Sequence, residues 1–181
     1  MGLLITGFGP FPGVPVNPAE ALVTALAGAF PRGVQAVILP TEWRVLEHLP
    51  NLAATADRVL MFGVSARARH VRYERMAWPD ATPMPDDRGA LPASAPSRIH
   101  YSRLPVAELA EGARRDGFDA NVSSNPGRYV CNAGYAAALS GNANTLFVHI
   151  PMPGRQGLSP LVEHGAYLVE QLAARRPAIA V

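Results

Sequence analysis

The sequence predicts an α/β fold with a largely parallel sheet and helices on both of its faces. Four short aliphatic and β-branched runs have the length of buried strands, and they cover residues 3–6, 34–39, 58–63 and 145–150. Helical patterns separate these runs, and this alternation is typical of a parallel sheet that is covered on both faces. With 181 residues, 49% of them hydrophobic and 17% charged, the chain is expected to form one domain over residues 1–181.

The first helix follows the first strand and carries the clearest start signal. Asn17 can cap it, Pro18 suits the first helical position, and Glu20 stands three residues after the cap, as in a capping box. The later helices are predicted over residues 42–49, over 105–117, from near Cys131 to just before Gly141, and over 157–176 with Ser159 as cap and Pro160 in the first turn.

Residues 78–98 contain five prolines and little periodicity, so they are predicted to form a long surface loop. Loops of this length in compact domains are often lids or binding loops, or else disordered. We expect this loop to be mobile in the free protein and to close over a bound ligand.

The charge balance excludes some partners. The sixteen basic residues are all arginine, they are scattered, and with fourteen acidic residues they give a net charge of +2, which disfavours nucleic acid or an anionic membrane as the main partner. The start of the chain lacks the basic region of a signal peptide, and no apolar run reaches membrane-spanning length, so a cytoplasmic protein is expected. A single cysteine excludes an internal disulfide and disfavours structural zinc.

That cysteine, Cys131, follows the turn sequence Asn-Pro-Gly-Arg at the predicted start of a helix. Free backbone N–H groups and the positive end of the helix dipole would there lower the thiol pKa toward a reactive thiolate. Gly127 in the turn lets N–H groups point inward, as an oxyanion hole requires. Free cysteines are also among the most buried residues, so inert packing is the alternative.

Two residues suited to proton transfer lie on predicted strands. His149 interrupts an apolar strand near its end, where such sheets place active-site groups, although a histidine bonded to backbone would look the same. Glu74 shares one face of an alternating stretch with His70 and Arg72. Its alternative role is an ion pair with Arg72 or Arg75 at a solvated strand edge. The remaining histidines are expected to be structural or exposed: His48, His100 and His164.

Residues 6–18, with the sequence TGFGPFPGVPVNP, directly follow the first strand. They lack G-x-G-x-x-G spacing and lysine, so they do not predict a phosphate loop. Two phenylalanines in this position indicate an apolar surface for an uncharged ligand, and a hydrophobic plug that packs the loop down is the alternative.

Four segments together resemble one family, the type I pyroglutamyl peptidases or pyrrolidone-carboxylate peptidases, which are cysteine peptidases. TGFGPFPGVPVNP resembles the N-terminal signature of the family, YERMA the segment with its catalytic glutamate, GRYVCN its nucleophile motif and FVHIP its histidine motif. Their order and spacing match, and the resemblance runs nearly end to end. It implies a three-layer α/β/α sandwich with a central mixed sheet, which removes N-terminal pyroglutamate from peptides without a metal or a cofactor.

Carried over residue by residue, the resemblance makes Cys131 the nucleophile, His149 the general base and acid, and Glu74 the group that orients the imidazole. Phe8 and Phe11 would line the pocket for the pyroglutamyl ring. Four further residues are assigned to the substrate site, the first from the proline-rich loop and the others by motif: Met84, Asn17, Tyr129 and Val130. Since relatives are commonly dimers or tetramers, a homo-oligomer is expected.

Two segments depart from the family pattern. After YERMA the chain is one residue shorter than the family and has Pro83 where an arginine is expected, and SARAR replaces the Gly-Gly-Arg before the glutamate. These changes leave the triad intact but affect the pocket wall and the help with the oxyanion that this arginine would give. Two alternatives therefore stand: a degenerate member that binds lactam ligands and turns over slowly and, by fold analogy alone, an enzyme that handles nucleosides or phosphates.

Overall fold

The computed structural model describes residues 2–93 and 97–174, and within these ranges the chain forms two sheets. The strands in chain order are β1 (Leu3–Phe8), β2 (Val34–Leu39), β3 (Arg58–Val64), β4 (Val71–Glu74), β5 (Met76–Ala77), β6 (His100–Tyr101), β7 (Ala120–Ser123) and β8 (Thr145–Ile150). Six strands form the main sheet in the order β2-β1-β3-β8-β4-β7, and β5 pairs with β6. In the main sheet only the β4–β8 pairing is antiparallel, so the predicted largely parallel mixed sheet is confirmed.

Helices cover both faces of the main sheet. They are α1 (Pro18–Ala29), a 3-10 helix (Trp43–Glu47), α2 (Leu49–Ala54), α3 (Val106–Arg115), α4 (Val130–Gly141) and α5 (Ser159–Ala174). Buried residues of α1, α3 and α5 form one hydrophobic core, and those of the 3-10 helix, α2 and α4 form the other. The sheet lies between these two cores, which gives the three layers expected for the fold.

The alternation of side chains along the strands decides which core each residue meets. On β8, Val148 joins the α1/α3/α5 core, whereas Phe147 joins the α2/α4 core, and His149 therefore points toward α4. On β4, Tyr73 belongs to the α1/α3/α5 core, which leaves Glu74 on the opposite face. Because side chains alternate along each strand, His149 and Glu74 lie on the same face of the sheet.

Most predicted elements are confirmed, and one helix is wrong. The strands at 34–39 and 145–150 match, and α1 starts at Pro18 with the Asn17 side chain accepting a hydrogen bond from the Ala19 N–H at 3.0 Å. The helix predicted over 42–49 is instead the 3-10 helix followed by α2. Pro50 explains the break, because proline suits the first turn of a new helix better than the interior of a continuing one.

The predicted loop over 78–98 is confirmed for the part that the structure describes. Residues 78–93 and 97–98 contain neither helix nor strand, and positions 94–96 lie outside the described residues. Among the described helices, none combines the length and apolar character that crossing a bilayer requires.

Candidate active site

The turn before α4 presents Cys131 in the first turn of that helix. Gly127 has a φ of 77°, which favours glycine, and its N–H donates to Asn125 Oδ1 at 3.3 Å. Tyr129 is extended and α4 starts at Val130, so Cys131 is the second helical residue. Backbone N–H groups at these positions have no partner within the helix, which leaves them available to a ligand.

His149 and Glu74 form a buried hydrogen-bonded pair beneath α4. His149 Nδ1 lies 2.8 Å from Glu74 Oε1, and the two residues are 4% and 0% exposed. Since β4 pairs with β8 on one side and β7 on the other, the solvated strand edge considered for Glu74 is wrong. When the carboxylate accepts a hydrogen bond from Nδ1–H, Nε2 of the neutral imidazole is free to accept a proton.

Gly63 allows the thiol to approach this pair. Gly63 on β3 is the direct strand partner of His149 on β8. A Cβ built on Gly63 would lie 3.2 Å from Cys131 Sγ and 2.7 Å from Phe147 Cζ, so the sulfur sits against the backbone where any other residue would crowd it. The Phe147 ring meets the His149 ring edge-on, with centroids 4.7 Å apart. Cys131 and the His149–Glu74 pair are thus gathered around Gly63 and Phe147.

Burial controls the resting protonation of the thiol and the imidazole. It raises the pKa of the Cys131 thiol to about 12, and the backbone N–H of Cys131 only partly opposes this. It also lowers the pKa of His149, against the hydrogen bond and charge of Glu74. The predicted lowering of the thiol pKa is therefore wrong for the free protein, because desolvation of the thiolate outweighs the helix start. Cys131 therefore rests as a neutral thiol and His149 as a neutral imidazole. A thiol that attacks from this state has to give up its proton during the attack.

An aromatic cluster stands next to Cys131. The Tyr129 ring packs against Phe11 at 6.0 Å and against Trp43 at 5.6 Å between centroids. Trp43 Nε1 donates to the Met84 carbonyl at 3.1 Å, and Tyr129 Oη donates to the Pro85 carbonyl at 2.9 Å. The predicted residues Phe11, Tyr129 and Met84 therefore come together, and they are joined by Trp43, which no sequence motif marked.

Three other predicted substrate residues have structural positions. Phe8 is 1% exposed and packs against Phe147, so it supports the site from below and offers no surface to a ligand. Val130 is fully buried at the start of α4. Asn17 is 2% exposed, and its amide is used by the α1 cap and by a 2.7 Å hydrogen bond to the Gly9 carbonyl. For all three residues, the assignment to the substrate site stays a prediction.

Asn132, for which the sequence alone predicted no role, connects the proline-rich loop to α4. The side chain is fully buried, accepts a hydrogen bond from the Trp78 N–H at 2.7 Å, and donates to the carbonyls of Trp78 at 3.1 Å and Asp80 at 3.0 Å. Arg128 adds a 2.6 Å ion pair to Asp80. An asparagine directly after a candidate nucleophile was the available signal, since a buried amide needs several partners.

The middle of the same loop is anchored on the 3-10 helix. Asp86 is 2% exposed and accepts hydrogen bonds from the N–H groups of Trp43, Arg88 and Ala90, each at 2.9 Å. Burial alone would raise the pKa of Asp86, but these donors outweigh it and the pKa is lowered. Arg88 also donates to the buried Glu42 at 2.7 Å. The loop residues on both sides of Pro83 are therefore held against the body of the protein.

The remaining histidines lie away from this site or at the surface. His164 is buried on α5 in the opposite core and bonds to the Tyr73 hydroxyl, while His70 is exposed and paired with Asp119. His48 is exposed between the 3-10 helix and α2, and burial lowers the pKa of the partly buried His100. Within residues 2–93 and 97–174, no three side chains of histidine, cysteine, aspartate or glutamate are placed to hold a metal ion.

In sequence, the chain is similar to pyroglutamyl peptidases. The family model described as "Pyroglutamyl peptidase" matches residues 1–157. A pyrrolidone-carboxylate peptidase of Halalkalibacterium halodurans is 36% identical over 143 residues, which cover 72% of this chain and 70% of that protein. One from Streptococcus suis is 32% identical over 151 residues, covering 73% of this chain and 66% of its own length.

Structure comparison agrees in fold. The crystal structure of Bacillus amyloliquefaciens pyroglutamyl peptidase I superposes with a TM-score of 0.84 at 24% identity, covering 96% of this chain and 97% of the other. That of the Fervidobacterium islandicum pyrrolidone carboxyl peptidase gives a TM-score of 0.84 at 25% identity, covering 96% and 98%. The fold is therefore shared over nearly the full length of each chain.

Proposed function

The chain belongs to the pyroglutamyl peptidase family, and we propose that Cys131, His149 and Glu74 are the residues with which it hydrolyses the amide bond after an N-terminal pyroglutamyl residue. The protein is a cysteine peptidase that releases L-pyroglutamate from peptides. The observation that supports the assignment is the buried Glu74–His149 hydrogen bond on the sheet face where α4 presents its first-turn cysteine.

In the acylation step the Cys131 sulfur attacks the carbonyl carbon of the pyroglutamyl residue while its proton passes to His149 Nε2. Glu74 holds the imidazole through Nδ1 and stabilises the imidazolium that forms. The oxyanion takes hydrogen bonds from the backbone N–H groups at the start of α4. The C–N bond then breaks, Nε2 returns its proton to the leaving amine, and a thioester remains on Cys131.

In the deacylation step His149 accepts a proton from water, and the resulting hydroxide attacks the thioester carbonyl. The second tetrahedral intermediate collapses with release of the Cys131 sulfur, which recovers its proton from His149. L-Pyroglutamate leaves, and the resting neutral pair is restored. Each step uses only groups of this chain and water.

The substrate explains the character of the aromatic cluster. Pyroglutamate is a flat, neutral lactam without a free α-amino group, so a selective pocket needs apolar walls and a few polar partners, and no carboxylate to bind an ammonium group. Phe11, Tyr129, Trp43 and Met84 supply such walls beside Cys131. We assign the ring pocket to this cluster.

No observation favours the alternative of a degenerate lactam-binding member. The substitution of Pro83 for the expected arginine lies in a loop that Asn132 and Asp86 hold in place, so its effect is expected on the pocket wall and not on the triad. The phosphate-handling alternative has no feature of this chain in its support.

Three further assignments are proposals that rest on the same function. A neutral catalytic thiol that must stay reduced suits the cytoplasm. A homo-oligomer and a single peptidase domain over residues 1–181 are the arrangements we propose for the working enzyme. Size-exclusion chromatography with light scattering, compared before and after limited proteolysis, tests both.

The experiment that tests the function measures release of a chromogenic amine from its pyroglutamyl amide. We expect turnover by the wild type, none by Cys131→Ser, and none with the matching prolyl amide, which lacks the lactam carbonyl. Turnover that persists in Cys131→Ser, or equal turnover of the prolyl amide, would overturn the proposal.

A further inference from the structure

Arg72 lies beside the catalytic pair and has no part in the reaction described above. In the antiparallel β4–β8 pairing it is the residue directly opposite His149, and it stands two positions before Glu74 on the same face of β4. Its Nε lies 3.8 Å from Glu74 Oε1, the oxygen that accepts the His149 hydrogen bond. One carboxylate oxygen is therefore shared between an imidazole and a guanidinium.

The other end of the guanidinium reaches across β8. Arg72 Nη2 donates to Ser65 Oγ at 3.0 Å, and the Ser65 N–H donates to the Ile150 carbonyl at 2.9 Å, just beyond the end of β3. Since β8 lies between β3 and β4, the Arg72 side chain spans the strand that carries His149. A third of this side chain is exposed, so the cation borders the site and is not sealed within it.

We propose that Arg72 is a positioning residue whose guanidinium shares Glu74 Oε1 with the His149 imidazole and thereby sets the charge balance around that imidazole. This proposal rests on the proposed function. Among the described residues, His149 faces Glu74 and Arg72 from β4, and α4 brings the Cys131 thiol to the same side of the sheet, whereas the β3 partner Gly63 carries no titratable group. An arginine that offsets the Glu74 charge makes His149 a weaker base and a better acid toward the leaving amine.

The direction of the pKa of His149 agrees with this geometry. Burial lowers it most, Glu74 opposes the lowering, and the positive charge of Arg72 lowers it further. His149 must be neutral to accept the thiol proton, so activity is lost as the pH falls through the pKa of this imidazole. Removing the Arg72 charge raises that pKa and moves the loss of activity to higher pH.

The test compares pH profiles of kcat/KM for Arg72→Gln, Arg72→Lys and Arg75→Gln. We expect the acidic limb of Arg72→Gln to move up by roughly 0.5 to 1 pH unit, and that of the charge-retaining Arg72→Lys to stay near the wild type. Arg75 is exposed just after the end of β4, so Arg75→Gln removes the same charge as a matched control and its limb should not move. An unmoved limb in Arg72→Gln, or equal shifts in both Arg72 variants, would overturn the proposal.

A second readout separates this proposal from the proposed function. The rate at which iodoacetamide alkylates Cys131 also depends on a neutral His149, so its pH profile should shift in the same order across the three variants without any turnover. Absence of peptidase activity in the wild type would overturn the proposed function alone. An alkylation profile that does not distinguish Arg72→Gln from Arg75→Gln would overturn the role of Arg72 alone.

Discussion

Two buried histidines lie on opposite faces of the sheet and differ in the side chain that is hydrogen-bonded to the imidazole. Consecutive residues of β4 point to opposite faces, and each bonds a histidine: Glu74 binds His149 at 2.8 Å beneath α4, and Tyr73 binds His164 at 2.6 Å beneath α5. Both histidines are nearly inaccessible, at 4% and 5% exposed. A carboxylate that accepts a hydrogen bond stabilises an imidazolium far more than a neutral phenol does, and burial lowers the pKa of His164 to about 4 against the opposing charge of Asp119.

The surroundings of the two side chains separate the histidine proposed for catalysis from the structural one. His149 has an anionic partner on Nδ1, a thiol on the same sheet face and a glycine that lets the thiol approach. His164 has a hydroxyl partner and a stacked Phe118 ring at 4.7 Å, which suit a neutral structural imidazole. Burial and a hydrogen bond are common to both, so neither distinguishes an active site from a core.

The largest difference between the two histidines is expected in activity. Because proton transfer by a positioned side chain contributes roughly 100 to 10,000-fold, His149→Ala should lower kcat/KM for the pyroglutamyl amide by about 1000-fold or more. His164→Gln, whose amide can still bond Tyr73, should stay within about threefold of the wild type because it touches no reacting group. Circular dichroism of both variants checks folding, and a His164→Gln enzyme as impaired as His149→Ala would remove the distinction.

Exchanging the β4 partners sharpens the comparison. Glu74→Gln keeps the shape but cannot stabilise the imidazolium or fix the tautomer, so kcat should fall by about 100-fold with KM little changed. Tyr73→Phe should leave kcat near the wild type and lower the free energy of unfolding by about 1–2 kcal/mol, since the buried His164 loses its hydrogen-bond partner. Steady-state kinetics and urea unfolding of both variants decide this; a fall in kcat for Tyr73→Phe would contradict it.

More of the proposed site than of its surroundings could be predicted from the sequence. Cys131, His149 and Glu74 each stand in a local pattern with a chemical reason: a turn before a helix, a polar residue in an apolar strand, and an alternating strand. Burial decides the protonation of the Cys131 thiol, and this burial depends on how α4 packs on the sheet. Local sequence does not encode that, and so the predicted direction of the Cys131 pKa was wrong.

The same limit explains the fold elements that were missed. The longer apolar strands β1, β2, β3 and β8 are recognisable from their sequences. In contrast, β7 is a four-residue edge strand with two exposed positions, and β5 and β6 have two residues each. Such short strands exist because a neighbour pairs with them. Phe8 and Asn17 stand in one sequence motif, and the structure adds that Phe8 packs against Phe147 while Asn17 caps α1.

A glycine on each face extends the comparison to packing. Gly63→Ala would place a Cβ 3.2 Å from Cys131 Sγ and 2.7 Å from Phe147 Cζ, so kcat/KM should fall about tenfold as the sulfur is displaced. On the His164 face, Gly165→Ala meets only the flexible Leu26 and Leu22 side chains, at 2.9 and 3.2 Å, and should cost stability with little change in kcat/KM. Kinetics and thermal unfolding separate the two, and equal activity losses would count against a specific role for Gly63.

The smallest expected effect is in the pH dependence of stability. The unfolded chain protonates His164 near pH 6.5 and the folded chain near 4, so between these values the unfolded state binds more protons and stability falls as the pH falls. From pH 6.5 to 5.5 the wild type should therefore lose about 1 kcal/mol more free energy of unfolding than His164→Gln, in which this group is absent. Urea unfolding at both pH values measures this. His149, whose pKa is also lowered, contributes equally to both proteins and cancels. Parallel losses would mean that folded His164 titrates like a free imidazole, whereas the expected gap would assign this second histidine to folding and leave catalysis to the face of α4.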